Sequence, residues 1–140
     1  MNAKAVELAG KSVWIMTDGK PGMENQCLGL AEALVALGGE TPVVKRLSPG
    51  FPWSALPPQF WMSPLSTPDT DGNWLTPPWP DILLATGRQT VAPALAIKRA
   101  SGNATFCVQI QNPAWRLDAF DLLAIPKHDG VTGDNVLETL

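Results

Sequence analysis

Charge is what this sequence has least of. Asp, Glu, Lys and Arg make up 16% of the 140 residues, against about 25% in an ordinary soluble domain. The ten basic residues are scattered and the net charge is −3. The clustered Lys and Arg that displace counterions from a phosphate backbone are missing, which argues against a nucleic-acid partner. Lys45-Arg46 and Lys98-Arg99 are the adjacent basic pairs, and each reads as a solvated strand end or helix end. Histidine occurs once and cysteine twice, without a CxxC or any His/Cys ligand spacing, so no metal site and no cofactor are expected. Cys27 and Cys107 lie inside apolar segments and read as buried free thiols, in keeping with a reducing, cytoplasmic setting. The longest apolar run, Ala33 to Leu37, is far short of the roughly 20 residues of a membrane span. Residues 1–11 lack the apolar core of a secretory signal. A low charge content also leaves much neutral surface, which a covering partner domain or a large rigid insertion would explain.

What is present is a βα rhythm over one domain's length. Ser12 to Thr17 is a continuous apolar run without polar alternation, as in a strand covered on both faces. A helix is predicted from about Met23 to Leu37, with Cys27, Leu30, Ala31, Leu34 and Leu37 on one stripe and Gly38-Gly39 ending it. Strands are predicted at 41–47, 81–86, 104–110 and 121–125. A second helix runs to about Ala100, with Pro93 in its first turn, where a missing N–H does no harm. A last helix is expected near Asp134. The alternation implies an open, mostly parallel sheet with helices on both faces, a Rossmann-like α/β domain over residues 1–140. Residues 48–80 interrupt it with nine prolines and four tryptophans. Disordered linkers are poor in aromatics, so this is expected to be an irregular excursion packed on its own domain, with one short helix around Pro58 to Met62.

In open parallel sheets ligands bind beyond the carboxyl ends of the strands, and four loops qualify. The first, Asp18-Gly19-Lys20-Pro21-Gly22 with Asn25 and Gln26 following, runs into a helix N-terminus that suits an anion or sugar-phosphate. It is neither GxGxxG nor a Walker A loop, and it reads equally as a βα turn with polar caps. The second, Thr86-Gly87-Arg88-Gln89-Thr90, puts an arginine at a helix start, where it does nothing for the helix and is a candidate to bind an anion; Thr90 as a cap, with Arg88 paired to a nearby carboxylate, is the plainer alternative. The third, Gln109 to Pro113 with Gln111 and Asn112, offers amides to a hydroxyl-rich ligand or to neighbouring loops. The fourth holds His128, with Asp129 beside it to orient or charge the imidazole as a general base; a structural histidine is the alternative.

At these loops the chain resembles a known family. Trp14 to Leu34, centred on Asp18-Gly19-Lys20-Pro21-Gly22-Met23-Glu24-Asn25-Gln26, is similar to the opening of the mitochondrial-fission ELM (elongated mitochondria) family. Ala85 to Thr90, Gln111-Asn112-Pro113 and Pro126-Lys127-His128-Asp129 resemble its later motifs, in the same order. Members look like two-domain, GT-B-type glycosyltransferases. The resemblance implies that this chain is the N-terminal, acceptor-side half of a longer bacterial-type protein, facing its own C-terminal domain across a cleft. It further implies action with nucleotide-sugars, a sugar or phosphate ligand, His128 as base and Asp129 as its orienter. The alternative it leaves is a non-catalytic GT-B-like scaffold that binds a protein partner, as in mitochondrial-fission recruitment.

Overall fold

A computed structural model of the chain describes residues 9–18, 21–47, 55–61, 64–65, 75–110, 113, 116–126 and 133–139. Its centre is a six-stranded, wholly parallel sheet in the order β2-β1-β3-β4-β5-β6. The strands are β1 (Val13–Thr17), β2 (Val43–Arg46), β3 (Ile82–Thr86), β4 (Phe106–Ile110), β5 (Leu122–Pro126) and β6 (Val136–Thr139). β1 and β3 are buried along their whole length, as expected of strands covered on both faces and free of alternation.

One helix lies on each face. Helix α1 (Pro21–Ala36) sets Cys27 and Ala31 against Val13, Ile15, Ile82 and Leu84. Helix α2 (Val91–Ala100) sets Val91, Ala94, Leu95 and Ile97 against Met16, Leu83, Ala85 and Cys107. α1 starts with a proline at its first position, where the absent N–H costs nothing, two residues ahead of the predicted start. The predicted apolar stripe is only partly buried. Cys27 and Ala31 are wholly enclosed, but Leu30 is 37% exposed and Leu37 38%. Leu30 and Leu34 instead border a groove of about 470 Å³ with Ile82, Phe106, Val108 and Leu122, at the N-terminal edge of the sheet.

Strand ends are trimmed by competing hydrogen bonds. Asp81, predicted to open β3, accepts at Oδ2 from the Ser12 N–H (2.9 Å) and hydroxyl (3.2 Å), while its own N–H donates to Ser12 Oγ (3.0 Å). Thr105 donates its hydroxyl to Pro80 O at 2.7 Å, and β4 begins at Phe106, two residues after the predicted start. The basic pairs keep one exposed member each, Arg46 and Arg99, as expected, but three of the four side chains are also engaged. Lys45 stands 4.7 Å over the Trp14 ring, Arg46 pairs with Glu24 at 2.8 Å and Lys98 with Asp121 at 2.6 Å.

The described parts of the 48–80 excursion pack on the domain, as expected. Leu75 and Trp61 are buried, and Trp79 meets Trp14 edge-on at 6.2 Å. The short helix predicted around Pro58 is a single 3₁₀ turn, Pro58–Phe60.

One element differs in kind. The helix expected near Asp134 is β6. Asn135 O accepts the Leu123 N–H at 2.7 Å, and the Asn135 amide donates to Leu117 O (2.8 Å) and Phe120 O (2.9 Å). These bonds hold the chain extended beside β5, and pairing with a sheet edge outweighs local helix signals.

Candidate functional site

The chain leaves β1 toward β2 on one side and returns to β3 on the other. The C-terminal ends of β1 and β3 are therefore the topological switch point, where neighbouring loops part and leave a crevice. Three of the four predicted loops begin at β1, β3 and β4 around it.

Gly87 is the hub. It is buried, with φ 102° and ψ 146°, a conformation essentially restricted to glycine. Its missing side chain makes room for Asp18: a Cβ built on Gly87 would stand 2.5 Å from Asp18 Cγ and 2.7 Å from Oδ1. Its carbonyl anchors the following 3₁₀ turn, Arg88–Thr90, by accepting the Thr90 N–H at 3.1 Å and the Thr90 hydroxyl at 2.8 Å. Gln109 reaches the same point from β4, with Nε2 3.5 Å from Gly87 O and 3.4 Å from Thr90 Oγ1.

These contacts leave a residue of unmet polarity. Among the described residues, the buried side-chain oxygens and nitrogens without a hydrogen-bond partner are Asp18 Oδ1, Thr86 Oγ1 and Gln109 Oε1. All three flank Gly87: Thr86 precedes it, Asp18 lies against it, and Gln109 touches its carbonyl. Thr86 is 0% exposed and Gln109 2%. The register sets these two on opposite faces of the sheet, with Gln109 level with Ala85 on the α2 side and Thr86 level with Ile110 on the α1 side. A buried polar atom left unpaired costs roughly 1–3 kcal/mol, which singles out this edge as the candidate site.

The predicted residues divide clearly. The structure brings together Asp18, Gly87 and Thr90. Arg88 is exposed at the rim and Gln89 half-buried beside it. Pro21 and Gly22 form the first turn of α1, while Asn25 and Gln26 are exposed on its second turn. Gly19, Lys20, Gln111, Asn112, His128 and Asp129 lie outside the described residues. Glu24, also in the first motif, holds Arg46 of β2 and so braces the helix start. Thr86 opens the second candidate loop but is not among the residues expected to bind a ligand. The available signal was a hydroxyl ending an otherwise apolar strand, which is ordinary enough to pass as a ladder residue.

Burial makes both thiols inert. Cys27 is pushed up to about 12 by desolvation, with the Glu24 charge adding to it. Cys107 is pushed up to about 12 by desolvation and the Asp121 charge, with Lys98 opposing. Burial also lowers Lys45. Among the described residues no three His, Cys, Asp or Glu gather to hold a metal ion, and no helix is long and apolar enough to cross a membrane.

The family model described as Mitochondrial fission ELM1 matches residues 21–140. The chain belongs to this family. It is similar to the mitochondrial fission protein ELM1 of Arabidopsis thaliana, with 42% identity over 50 residues, which are 36% of this chain and 12% of that relative. No solved structure matches. The ELM1 match takes in α1, β2, β3, α2 and the strands beyond them, so the switch-point residues from Gly87 to Gln109 lie inside it.

Proposed function

We propose that this chain is the acceptor-side domain of a two-domain, GT-B-like sugar transferase that works with nucleotide-sugars in the cytoplasm. The observation that carries the reading is the cluster of buried, unpartnered oxygens at the switch point. A domain that needed only to fold would pair those groups or replace them with apolar ones, since a half-satisfied polar network is worse than none. An acceptor sugar bringing its own hydroxyls to the Asp18 and Gln109 side of the edge would relieve part of that cost. In this reading Asp18, Gly87 and Gln109 shape the acceptor side, and Arg88 meets a phosphate or a polar substituent at the rim. His128, in the loop after β5, takes the proton from the attacking hydroxyl while Asp129 orients the imidazole. The donor nucleotide would sit on a second domain, across the cleft.

Two measurements test this. The 140-residue chain should bind members of a sugar and sugar-phosphate panel, read by calorimetry. A polypeptide carrying this domain together with its second half should turn over UDP- or GDP-sugars, and the H128A variant should lose that turnover by about 10²-fold or more. Equal turnover by wild type and H128A would remove the base assignment. Absence of both ligand binding and turnover would return the reading to a non-catalytic scaffold.

A further inference from the structure

On the α2 face, at the N-terminal edge of the sheet, a cavity of about 310 Å³ is lined by Leu95, Lys98, Arg99, Asn103, Arg116 and Ala119. Leu95 is buried and Ala119 half-buried, so together they give the cavity an apolar side. The rest of the lining is three cationic side chains and one amide, without a carboxylate. Like charges thus gather from two separate elements, the last turn of α2 and the residue ahead of the 3₁₀ turn Leu117–Ala119, in a chain whose net charge is −3. We propose that this cavity binds the phosphate group of a small phosphorylated molecule, at a site separate from the switch point.

The donors here call for a ligand made of acceptors. The Lys98 ammonium has three N–H groups; one goes to Asp121 Oδ2 at 2.6 Å and one to Thr105 O at 3.0 Å, which leaves the third. Arg99 is exposed and has no side-chain partner among the described residues. Arg116 is engaged within the chain, but a guanidinium has five N–H groups and can keep that contact while it meets a ligand. Phosphate offers only acceptors to these groups, and its oxygens match the planar arginine fork two bonds at a time. A neutral hydroxyl must also give a proton, and among the lining side chains the Asn103 amide oxygen is the one acceptor.

Cations in the last turn of a helix ordinarily answer its free carbonyls. Those carbonyls are already met in α2. Ile97 O accepts the Ser101 N–H at 2.9 Å, Lys98 O accepts the Asn103 N–H and the Ser101 hydroxyl, each at 2.9 Å, and Arg99 O accepts the Gly102 N–H at 3.0 Å. Arg99 is therefore not needed as a cap. Arg116 stands in the left-handed region, φ 50° and ψ 52°, which a residue with a Cβ enters at a cost. That strained backbone brings a second arginine to the cavity, and strain of this kind is concentrated at functional positions. Lys98 is balanced by Asp121, so Arg99 supplies most of the attraction and Arg116 adds donors. Asp118, on the 3₁₀ turn, is exposed and does not line the cavity.

The test is calorimetry and thermal denaturation of the 140-residue chain with inorganic phosphate, glycerol 3-phosphate and acetate, each against sodium chloride of equal ionic strength. The variants are R99Q, R116G, R88Q and K11Q, with circular dichroism to confirm that each is folded. Glycine accepts φ 50° freely, so R116G removes the side chain without straining the backbone. K11Q removes a positive charge that borders the groove on the opposite face of the sheet. Both phosphates should raise the melting temperature above the chloride control. Their dissociation constants should rise about tenfold in R99Q and in R116G, the effect of losing one charge-assisted hydrogen bond, and should not change in K11Q. No phosphate effect beyond chloride would overturn the proposal. So would equal weakening in K11Q, which would mean general charge attraction, and so would acetate binding as tightly as phosphate. Binding abolished in R88Q and intact in R99Q and R116G would place the anion at the rim of the switch point and overturn the assignment to this cavity.

Discussion

The carboxylate of Asp18 occupies the space in which a side chain at Gly87 would begin, with Asp18 Oδ1 2.7 Å from that Cβ position. The two residues directly follow neighbouring strands, β1 and β3, whose last residues Thr17 and Thr86 are in register. The contact is therefore a property of the switch point and not of either loop alone.

Substituting Gly87 with alanine should consequently do two things. The backbone at φ 102° would be strained, and Asp18 would be driven out of its place. A loss of roughly 1–3 kcal/mol in folding stability is expected from the backbone alone, measured as a fall in the urea midpoint at unchanged m. Ligand binding at the edge should fall further than stability explains. G87A with wild-type midpoint and binding would show that the loop relaxes freely and that glycine is not required.

A second prediction concerns Asp121, which immediately precedes β5. Its Oδ2 accepts from the Lys98 ammonium at 2.6 Å and from the Cys107 N–H at 2.7 Å, tying the end of α2 to β4 and β5. D121A leaves the Cys107 N–H and the partly buried Lys98 short of an acceptor, so about 2–3 kcal/mol should be lost in chemical denaturation. D121N keeps an acceptor for the N–H and gives up only the charge, and it should lose about half as much. Equal losses in the two variants would mean that the ion pair, and not the backbone bond, holds this corner.

Much of the fold was legible because its strands are short, apolar and bounded by turn residues. Val13 to Met16 and Ile82 to Ala85 carry no alternation and are buried on both faces, which is why a parallel sheet with helices on each side could be expected. β6 was not legible. Gly133-Asp134-Asn135 before Val136 has the composition of a helix cap, and only the tertiary bonds of Asn135 decide for a strand. The candidate site was legible only as a set of loops. Gly87, Thr90 and Asp18 stand out as turn or cap residues following apolar runs. The orphaned oxygens did not, because whether Thr86 Oγ1 or Gln109 Oε1 finds a partner depends on neighbours brought from distant parts of the chain.

The thiols yield a pH prediction. Cys27 and Cys107 are fully buried, and each is pushed from an ordinary value of 9.0 up to about 12. Below pH 9 the folded and unfolded chains both keep these protons, and the thiols contribute their full packing. Between about 9 and about 12 the unfolded chain releases protons that the folded chain retains, so the equilibrium moves toward unfolding. The advantage of wild type over C27A in the denaturant midpoint should therefore shrink steadily across that window. Neither thiol should react with iodoacetamide in the native chain at pH 8, and both should react once it is unfolded. Rapid native alkylation of Cys107 would show that the α2 side of the sheet opens locally.

The most discriminating substitution for the fold is at Asn135. Its NH₂ group donates to two carbonyls, Leu117 O on the 3₁₀ turn Leu117–Ala119 and Phe120 O just after it, while its backbone oxygen accepts the Leu123 N–H. One residue thus fixes both the approach to β5 and the register of β6. Aspartate has the same shape but no donor, and it would press a carboxylate against two carbonyl oxygens. N135D should cost about 2–3 kcal/mol, with the charge adding to two lost bonds, and N135A should cost less because it only removes them. Hydrogen exchange should locate the effect, with protection lost first in residues 122–126 and 136–139 and kept in β1 and β3. Should N135D and N135A destabilise equally, with exchange rising uniformly through the sheet, β6 would be a passive edge strand, and the asparagine would have no part in holding it there.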